Sequence, residues 1–436
     1  MRMSVIGCGY LGAVHAAAMA SIGHEVIGID TDPEKIAALA AGRAPFFEPG
    51  LDELLASGVA SGRLTFSADI ADARGAQVHF VAVGTPQQPD GSAADLRYVH
   101  GALDALLPHL RPGDVVAGKS TVPVGTAAAL AERVAGAGAT LVWNPEFLRE
   151  GWAVHDTLQP DRLVVGTAGG EAGERAVEVL REAYADATSG GSPFLVTDLA
   201  TAELVKGAAN AFLATKISFI NAMAEIAEAA GADVTRLAEA IGHDERIGRR
   251  FLGAGIGFGG GCLPKDIRAF AARAEELGRG ASVGFLREVD AINLRRREHA
   301  VRLVVDAFGG SVVGRRITML GAAFKPHSDD VRDSPALEVA VRLRGMGAKV
   351  RVTDPEALAN AAAVHPQLKY VADRDKALTG ADAVVLVTEW DLYRRELTPE
   401  HASTLARGRI IVDGRNCLDP QAWRAAGWTY LGMGRP

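Results

Sequence analysis

Short apolar runs separated by stretches of helical spacing recur in both halves of this chain, and few folds accept that rhythm. SVIG near residue 4, EVIGID at 25–30, VHFVAV at 78–83, DVVAGKS at 114–120, TLVWN at 140–144 and RLVVG at 162–166 are brief and almost continuously apolar. Strands of that kind are buried on both faces, as in a parallel sheet covered by helices on each side. FLVTD at 194–198 is a candidate for one more strand. The rhythm restarts with RITMLGAAF at 316–324, KVRVTD at 349–354, AVVLVTEW at 383–390 and RIIVDGRN at 409–416. The expected class is therefore α/β, with two doubly wound domains.

Between them lies a long helical segment. It begins near Thr201, with Asp198 or Thr201 available as N-cap, and runs through ELVKGAANAFLATKISFINAMAEIAEAA to Gly231. A helix of about thirty residues spans roughly 45 Å. One so rich in Ala, Phe and Ile is expected to join domains and to pack against a partner subunit. Helical sequence continues to about residue 307, and its basic run Arg295–Arg297 is expected on a solvated face. In the last region Ser334 caps a helix whose first position is Pro335. The boundaries expected are 1–198, 199–307 and 308–436.

Length and charge narrow the function. A chain of 436 residues exceeds one ordinary core and fits about two to four domains. A hydrophobic fraction of 48% with 23% charged residues describes a soluble globular protein, and the net charge of -7 argues against nucleic acid or an anionic membrane as partner. An anionic ligand must then be held by local basic residues and helix N-termini. The three cysteines, Cys8, Cys262 and Cys417, are too far apart for a disulfide framework or a zinc motif, so no metal is expected and the setting expected is reducing and cytoplasmic. The opening MRMSVIGCGY reaches a glycine motif too early for a signal peptide, and no run of about 18 apolar residues suggests a membrane span.

GCGYLG follows the first strand and opens into an alanine-rich helix. Gly7 permits a tight turn, Gly9 lets a pyrophosphate approach the main chain, and Gly12 lets helix and strand pack closely. Helix N-terminal amides supply the donors. Gly255, Gly257 and Gly260 repeat the spacing without a preceding strand, so the context favours the first match. Asp30 ends the second strand, where a carboxylate binds ribose hydroxyls and repels a 2'-phosphate, which points to NAD. Lys35 either touches that ribose or sits on a helix surface. Cys8 reads as a small packing residue. The first domain is thus expected to be a Rossmann-like NAD-binding domain, whereas the last lacks a glycine fingerprint and need not bind a dinucleotide.

GFGGGCLPKD at 257–266 sets Cys262 between glycines and the pair Lys265 and Asp266. A nearby ammonium and exposed amides favour the thiolate, the form that attacks carbonyls, and the glycines would let a substrate lie against the backbone. Lys206 and Asn210, four apart on the long helix, project from one face. Glu146 and Glu150 in NPEFLREG, and Thr121 in KSTVPVG, follow strands at the carboxyl edge where α/β proteins bind ligands.

Taken in order, GCGYLG, KSTVPVG, NPEFLREG, ELVKGAANAFLATKISFIN, RIGRRFLGAGIGFGG, CLPKD, AFKP with DDVRDSPAL, and DGRN make the chain similar, over nearly its whole length, to the nucleotide-sugar 6-dehydrogenases of the UDP-glucose/GDP-mannose dehydrogenase family. The resemblance implies oxidation of a sugar C6 alcohol to a carboxylate with two NAD+, through a thiohemiacetal and a thioester. It makes Cys262 the nucleophile, with Lys206 and Asn210 steadying an oxyanion and Asp266 as base or water-positioning group. Glu146 or Glu150 accepts a proton or holds water, and Thr121 joins the catalytic set. Cofactor contacts implied are Gly7, Gly9, Leu11, Gly12, Asp30, Lys35, Thr85, Thr121, Glu150, Lys265 and Arg332. The sugar nucleotide would meet Glu146, Phe147, Leu148, Arg149 and Glu150, together with Lys206 and Asn210. It would also meet the stretch Phe251, Leu252, Gly253, Ala254 and Gly255, then Gly259, Lys325 and Arg415, with Arg246 reaching across a homodimer interface.

The last domain is then expected to bind the UDP-sugar, and the middle region to dimerise. RIGRRFL, ATKISFIN and DGRN lean towards the members acting on UDP-glucose, while Leu263 in CLPKD is shared with those acting on GDP-mannose; UDP-N-acetylhexosamines are the other alternative. Two positions depart from the family pattern: Gly261 where Ser or His is usual, and Gly207 where Tyr is common. A one-step hydroxyacid dehydrogenase of the 6-phosphogluconate type and a non-catalytic nucleotide-binding regulator are the remaining readings.

Overall fold

Each apolar run becomes a strand in the computed structural model, which describes residues 1–436. The chain divides into two compact units, residues 1–209 with 269–280 and residues 210–268 with 281–436. No helix is long and apolar enough to cross a membrane.

The first unit contains β1 (Arg2–Ile6), β2 (Glu25–Ile29), β3 (Leu64–Ser67), β4 (Val78–Val81), β5 (Val115–Gly118), β6 (Thr140–Trp143), β7 (Leu163–Thr167) and β8 (Phe194–Asp198). They form one sheet in the order β3-β2-β1-β4-β5-β6-β7-β8. Neighbours are parallel except β6 and β7. Because the order reverses between β1 and β4, the loops leaving their carboxyl ends diverge and open a ligand crevice. Strand β3 has no counterpart among the sequence expectations; in LTFS only Leu64 is fully buried, the mark of an edge strand. Inside the sheet Gly118 pairs with Trp143, and a Cβ there would fall 2.1 Å from the indole. A glycine in mid-strand thus seats the large ring across its neighbour.

The second unit contains β9 (Arg316–Leu320), β10 (Lys349–Thr353), β11 (Lys369–Tyr370), β12 (Ala383–Leu386), β13 (Ile410–Asp413) and β14 (Thr429–Gly432), all parallel, in the order β11-β10-β9-β12-β13-β14. The two outer strands again escape the sequence pattern, since one is only two residues long and the other alternates in burial. Ser334 Oγ accepts from Leu337 N at 3.4 Å and Pro335 opens the helix Pro335–Gly345, as expected. At the end of β10, Asp354 accepts from the amides of Ala322, Ala323, Glu356 and Ala357 and from Trp390 Nε1. Protein donors therefore occupy the carboxylate that stands where Asp30 stands in the first unit.

The long helix covers Leu199–Ala230 and is capped by Asp198, which accepts from Thr201 N at 2.8 Å and Thr201 Oγ1 at 2.7 Å. The helix Phe285–Ala307 corrects one expectation. Arg295 is exposed, but Arg296 and Arg297 are buried. Arg297 binds Asp333 at 2.7 Å, Glu338 at 2.6 Å and the carbonyl of Phe258 at 3.0 Å, and Arg296 binds Glu228 at 3.2 Å. Guanidinium groups enter a core when carboxylates or carbonyls neutralise and bind them, and a basic run in sequence does not reveal those partners.

Candidate active site

The first-unit crevice is shaped by glycines that nothing else could replace. Gly7 has φ 89°, and a Cβ on Gly12 would lie 1.8 Å from the Gly7 carbonyl oxygen. A Cβ on Gly9, by contrast, would meet no other part of the protein within 4 Å, which leaves room for an anionic ligand beside the first amides of the helix Tyr10–Ser21. Asp30 Oδ2 accepts from Cys8 N at 2.8 Å and lies 2.9 Å from Lys35 Nζ, which places Lys35 beside the carboxylate rather than on a bare helix surface. Cys8, Gly9, Asp32, Glu34, Lys35, Pro45 and Phe46 line the cleft. Open amides above a glycine turn, with a carboxylate at the tip of β2, fit a dinucleotide that carries free ribose hydroxyls. Leu11 is half-buried against the underlying core. Thr85 Oγ1 donates to the Thr121 carbonyl at 2.8 Å, joining the loops after β4 and β5 beside the switch point.

The loop after β6 carries both glutamates. Glu146 accepts from Lys206 Nζ at 2.8 Å and, through its other oxygen, from Leu148 N at 2.7 Å. Both partners of the ion pair are largely buried, with side chains 7% and 14% exposed. Phe147 lies under the Arg162 guanidinium, 3.8 Å from ring centroid to Cζ, and Arg149 pairs with Asp156 at 2.7 Å. Glu150 is buried. Sequence reasoning missed the support beneath this loop. Lys119 Nζ donates to Asn144 Oδ1 at 3.0 Å and lies 3.2 Å from Tyr184 Oη, which itself donates to Asn144 at 2.6 Å. Burial lowers the Lys119 ammonium to about 8. The signal was present, since Lys119 and Asn144 each end an apolar strand where a solvated side chain has no place.

In the second unit Cys262 is exposed and immediately precedes the helix Leu263–Glu276; its carbonyl accepts from Asp266 N at 2.8 Å. A thiol at a helix N-terminus feels the positive end of the dipole, which favours the thiolate. Asp266 is buried, accepts from Asn210 Nδ2 at 2.7 Å and lies 2.7 Å from Lys265 Nζ. The other two thiols face the opposite way. Burial, with Asp30 adding to it, pushes Cys8 up to about 12, and burial followed by Asp413 raises Cys417 still further.

Close packing within the second unit is one reason for the glycine run. A Cβ on Gly255 would lie 2.5 Å from the Gly414 carbonyl, one on Gly257 2.3 Å from Asn293 Oδ1, one on Gly259 2.3 Å from the Asp333 carbonyl and one on Gly260 2.8 Å from the Phe324 ring. Protein atoms occupy the space a side chain would fill at these four positions, and only Gly253 is open. Asn293 accepts from Phe258 N at 2.7 Å and returns a donor to its carbonyl at 2.9 Å. Arg415 donates to the carbonyls of Val387, Gly257 and Phe324, each at 2.8 Å, so it holds the run from the DGRN side. Leu252 and Ala254 are buried, while Phe251 stands in the left-handed region at φ 65°. Arg246 and Arg332 each fork the carboxylate two residues earlier, Asp244 and Asp330. Lys325 lies over the Phe324 ring at 5.4 Å. A side chain at Gly261 would collide with the Arg332 guanidinium at 2.3 Å, and one at Gly207 with the Phe270 ring at 2.7 Å. Those two departures from the family pattern thus make room for neighbouring side chains.

Known proteins resemble this chain over its whole length. Models of the UDP-glucose/GDP-mannose dehydrogenase family match as its NAD binding domain over residues 1–187, its central domain over 200–295 and its UDP binding domain over 318–420. A UDP-glucose 6-dehydrogenase from Rhizobium meliloti (strain 1021) is 42% identical, with 100% of both chains covered. A solved UDP-glucose dehydrogenase from Pyrobaculum islandicum superposes with a TM-score of 0.90 at 40% identity, over 100% of this chain and 98% of that one. A UDP-D-ManNAc dehydrogenase from Pyrococcus horikoshii gives a TM-score of 0.86 at 27% identity, covering 100% and 99%.

Proposed function

Because the chain belongs to the UDP-glucose/GDP-mannose dehydrogenase family, we propose that it oxidises the C6 alcohol of UDP-glucose to the carboxylate of UDP-glucuronate. It is an NAD-dependent oxidoreductase, and NAD is its cofactor. The observation that carries the mechanism is Cys262, an exposed thiol at a helix N-terminus in a chain whose other thiols are held protonated.

Bound NAD supplies the hydride acceptor in both oxidations. In the first, the C6 hydroxyl loses its proton and a hydride, leaving an aldehyde. The Cys262 thiolate then adds to the aldehyde carbon and forms a thiohemiacetal, whose oxygen carries the developing negative charge. Lys206 and Asn210, one helical turn apart, donate to that oxygen; such donors are most effective when fixed before the reaction, and Glu146 and Asp266 fix these two. Loss of the second hydride yields a thioester. Water then attacks, one of the carboxylates Asp266, Glu146 and Glu150 takes its proton, and the C–S bond breaks to return the thiolate. Thr121 contributes to the catalytic set, and Thr85, Lys265 and Arg332 to holding the cofactor. The 146–150 loop, the 251–255 stretch, Gly259, Lys325 and Arg415 receive the sugar nucleotide.

A homodimer is part of the same reading, with Arg246 completing the partner's sugar site. Phe212, Phe219 and Ile226 recur every seven residues on the long helix and are 66%, 49% and 59% exposed, an apolar stripe suited to a second copy. Substrate choice is tested with NAD+ and a panel of UDP-glucose, UDP-N-acetylmannosamine and GDP-mannose, by comparing kcat/KM. UDP-glucose is expected to exceed both others by at least about 100-fold, the discrimination expected when a site's polar groups lose their partners. Preference for GDP-mannose or the N-acetyl sugar would assign the same chemistry to another substrate.

A further inference from the structure

The fingerprint turn and the glutamate loop are physically tied to each other. Tyr10 begins the helix that follows Gly9, and its hydroxyl donates to Glu48. Glu48 is buried and has no cation against it in this cluster. Its Oε2 also accepts from Gly151 N at 2.6 Å and its Oε1 from Ala153 N at 2.7 Å, while Gly151 N lies 3.0 Å from Tyr10 Oη. Gly151 directly follows Glu150 and bends the chain at φ 76°. On the other side the Tyr10 ring packs on Phe46 at 4.8 Å between centroids, and Phe46 with Pro45 forms a wall of the cofactor cleft.

We infer that Tyr10, Phe46 and Glu48 form a strap that couples cofactor occupancy to the set of the Glu146–Glu150 loop. Tyr10 and Glu48 are positioning residues in this scheme, which rests on the proposed dehydrogenase reading. A dinucleotide seated on the open amides above Gly9 fixes the first turn carrying Tyr10 and presses on the Phe46 wall. Both restraints converge on Glu48, whose oxygens are committed to the amides that begin the chain after Glu150. A loop fixed in advance binds the sugar nucleotide at a lower ordering cost, and linkage requires the sugar to favour the cofactor by the same factor.

The test uses the full-length enzyme, with NAD+ and the non-reacting product UDP-glucuronate as probes. Dissociation constants for each are measured alone and with the other saturating, in wild type, Tyr10→Phe and Glu48→Gln. Wild type is expected to bind UDP-glucuronate about fivefold or more tightly when NAD+ is present. Tyr10→Phe, which removes one oxygen atom and preserves the ring packing, is expected to bring that factor to within about twofold of unity while NAD+ binding alone changes less than threefold. Glu48→Gln should do the same and, in steady state, raise KM for UDP-glucose more than it lowers kcat. A wild-type factor of one, or an unchanged factor in a well-folded Tyr10→Phe, overturns the strap. Absence of NADH formation by wild type with UDP-glucose would instead overturn the proposed function, so the two failures are distinct.

Discussion

Cys262→Ala is expected to abolish UDP-glucuronate formation, lowering its steady-state rate by at least about 10⁴-fold, the scale on which an enzyme feels loss of its nucleophile. The thioester needs a sulfur at this place, and no other thiol can substitute. Cys8 is buried and pushed up to about 12, and Cys417 is raised by burial beside Asp413. The first oxidation does not involve sulfur, so the variant should retain hydride transfer to the aldehyde stage and release at most one NADH per sugar. The same asymmetry predicts that iodoacetamide at neutral pH modifies Cys262 alone in the native enzyme and removes activity in step. Peptide mapping reads this directly; modification of Cys8 with full activity retained would contradict the assignment.

Lys206→Ala is expected to lower kcat by ~10²–10³-fold, as removal of one fixed donor to an oxyanion does. Its ammonium lies 2.8 Å from Glu146, and both side chains are largely buried. Truncation therefore also leaves Glu146 as a buried carboxylate without its cation, which costs about 3–5 kcal/mol of stability in such settings. Lys206→Ala with Glu146→Gln removes the stranded charge and is expected to recover most of that stability while kcat stays low. Thermal unfolding and kcat measured on both proteins separate the two effects. Recovery of kcat by the double variant would show that Lys206 acts only as a counter-ion.

The sequence revealed what periodicity and local chemistry encode. The central strands announce themselves because burial on two faces makes them continuously apolar, and Asp198, Ser334 and Pro335 mark helix starts by their own side chains. Strands β3, β11 and β14 lie at the outside of their sheets, where short or alternating sequence resembles loop. Partnership is harder to read than identity. Arg296 and Arg297 look like a solvated basic run, yet their carboxylates at Glu228, Asp333 and Glu338 are remote in sequence and draw them inside. The glycines at 255–260 suggested room for a ligand, and the sequence did not show that Gly414, Asn293, Asp333 and Phe324 pack against them as well. Glu48 gave no sign of importance at all, because what distinguishes it is three hydrogen bonds to residues about 40 and 100 positions away.

The central claim is that one site performs two successive oxidations with the sulfur of Cys262 between them. Its most direct measurement is the number of NADH formed per UDP-glucose consumed, followed from limiting UDP-glucose with excess NAD+ in wild type. A ratio of two is expected, with no aldehyde released. A ratio of one, with the aldehyde as product and Cys262→Ala as active as wild type, would contradict it.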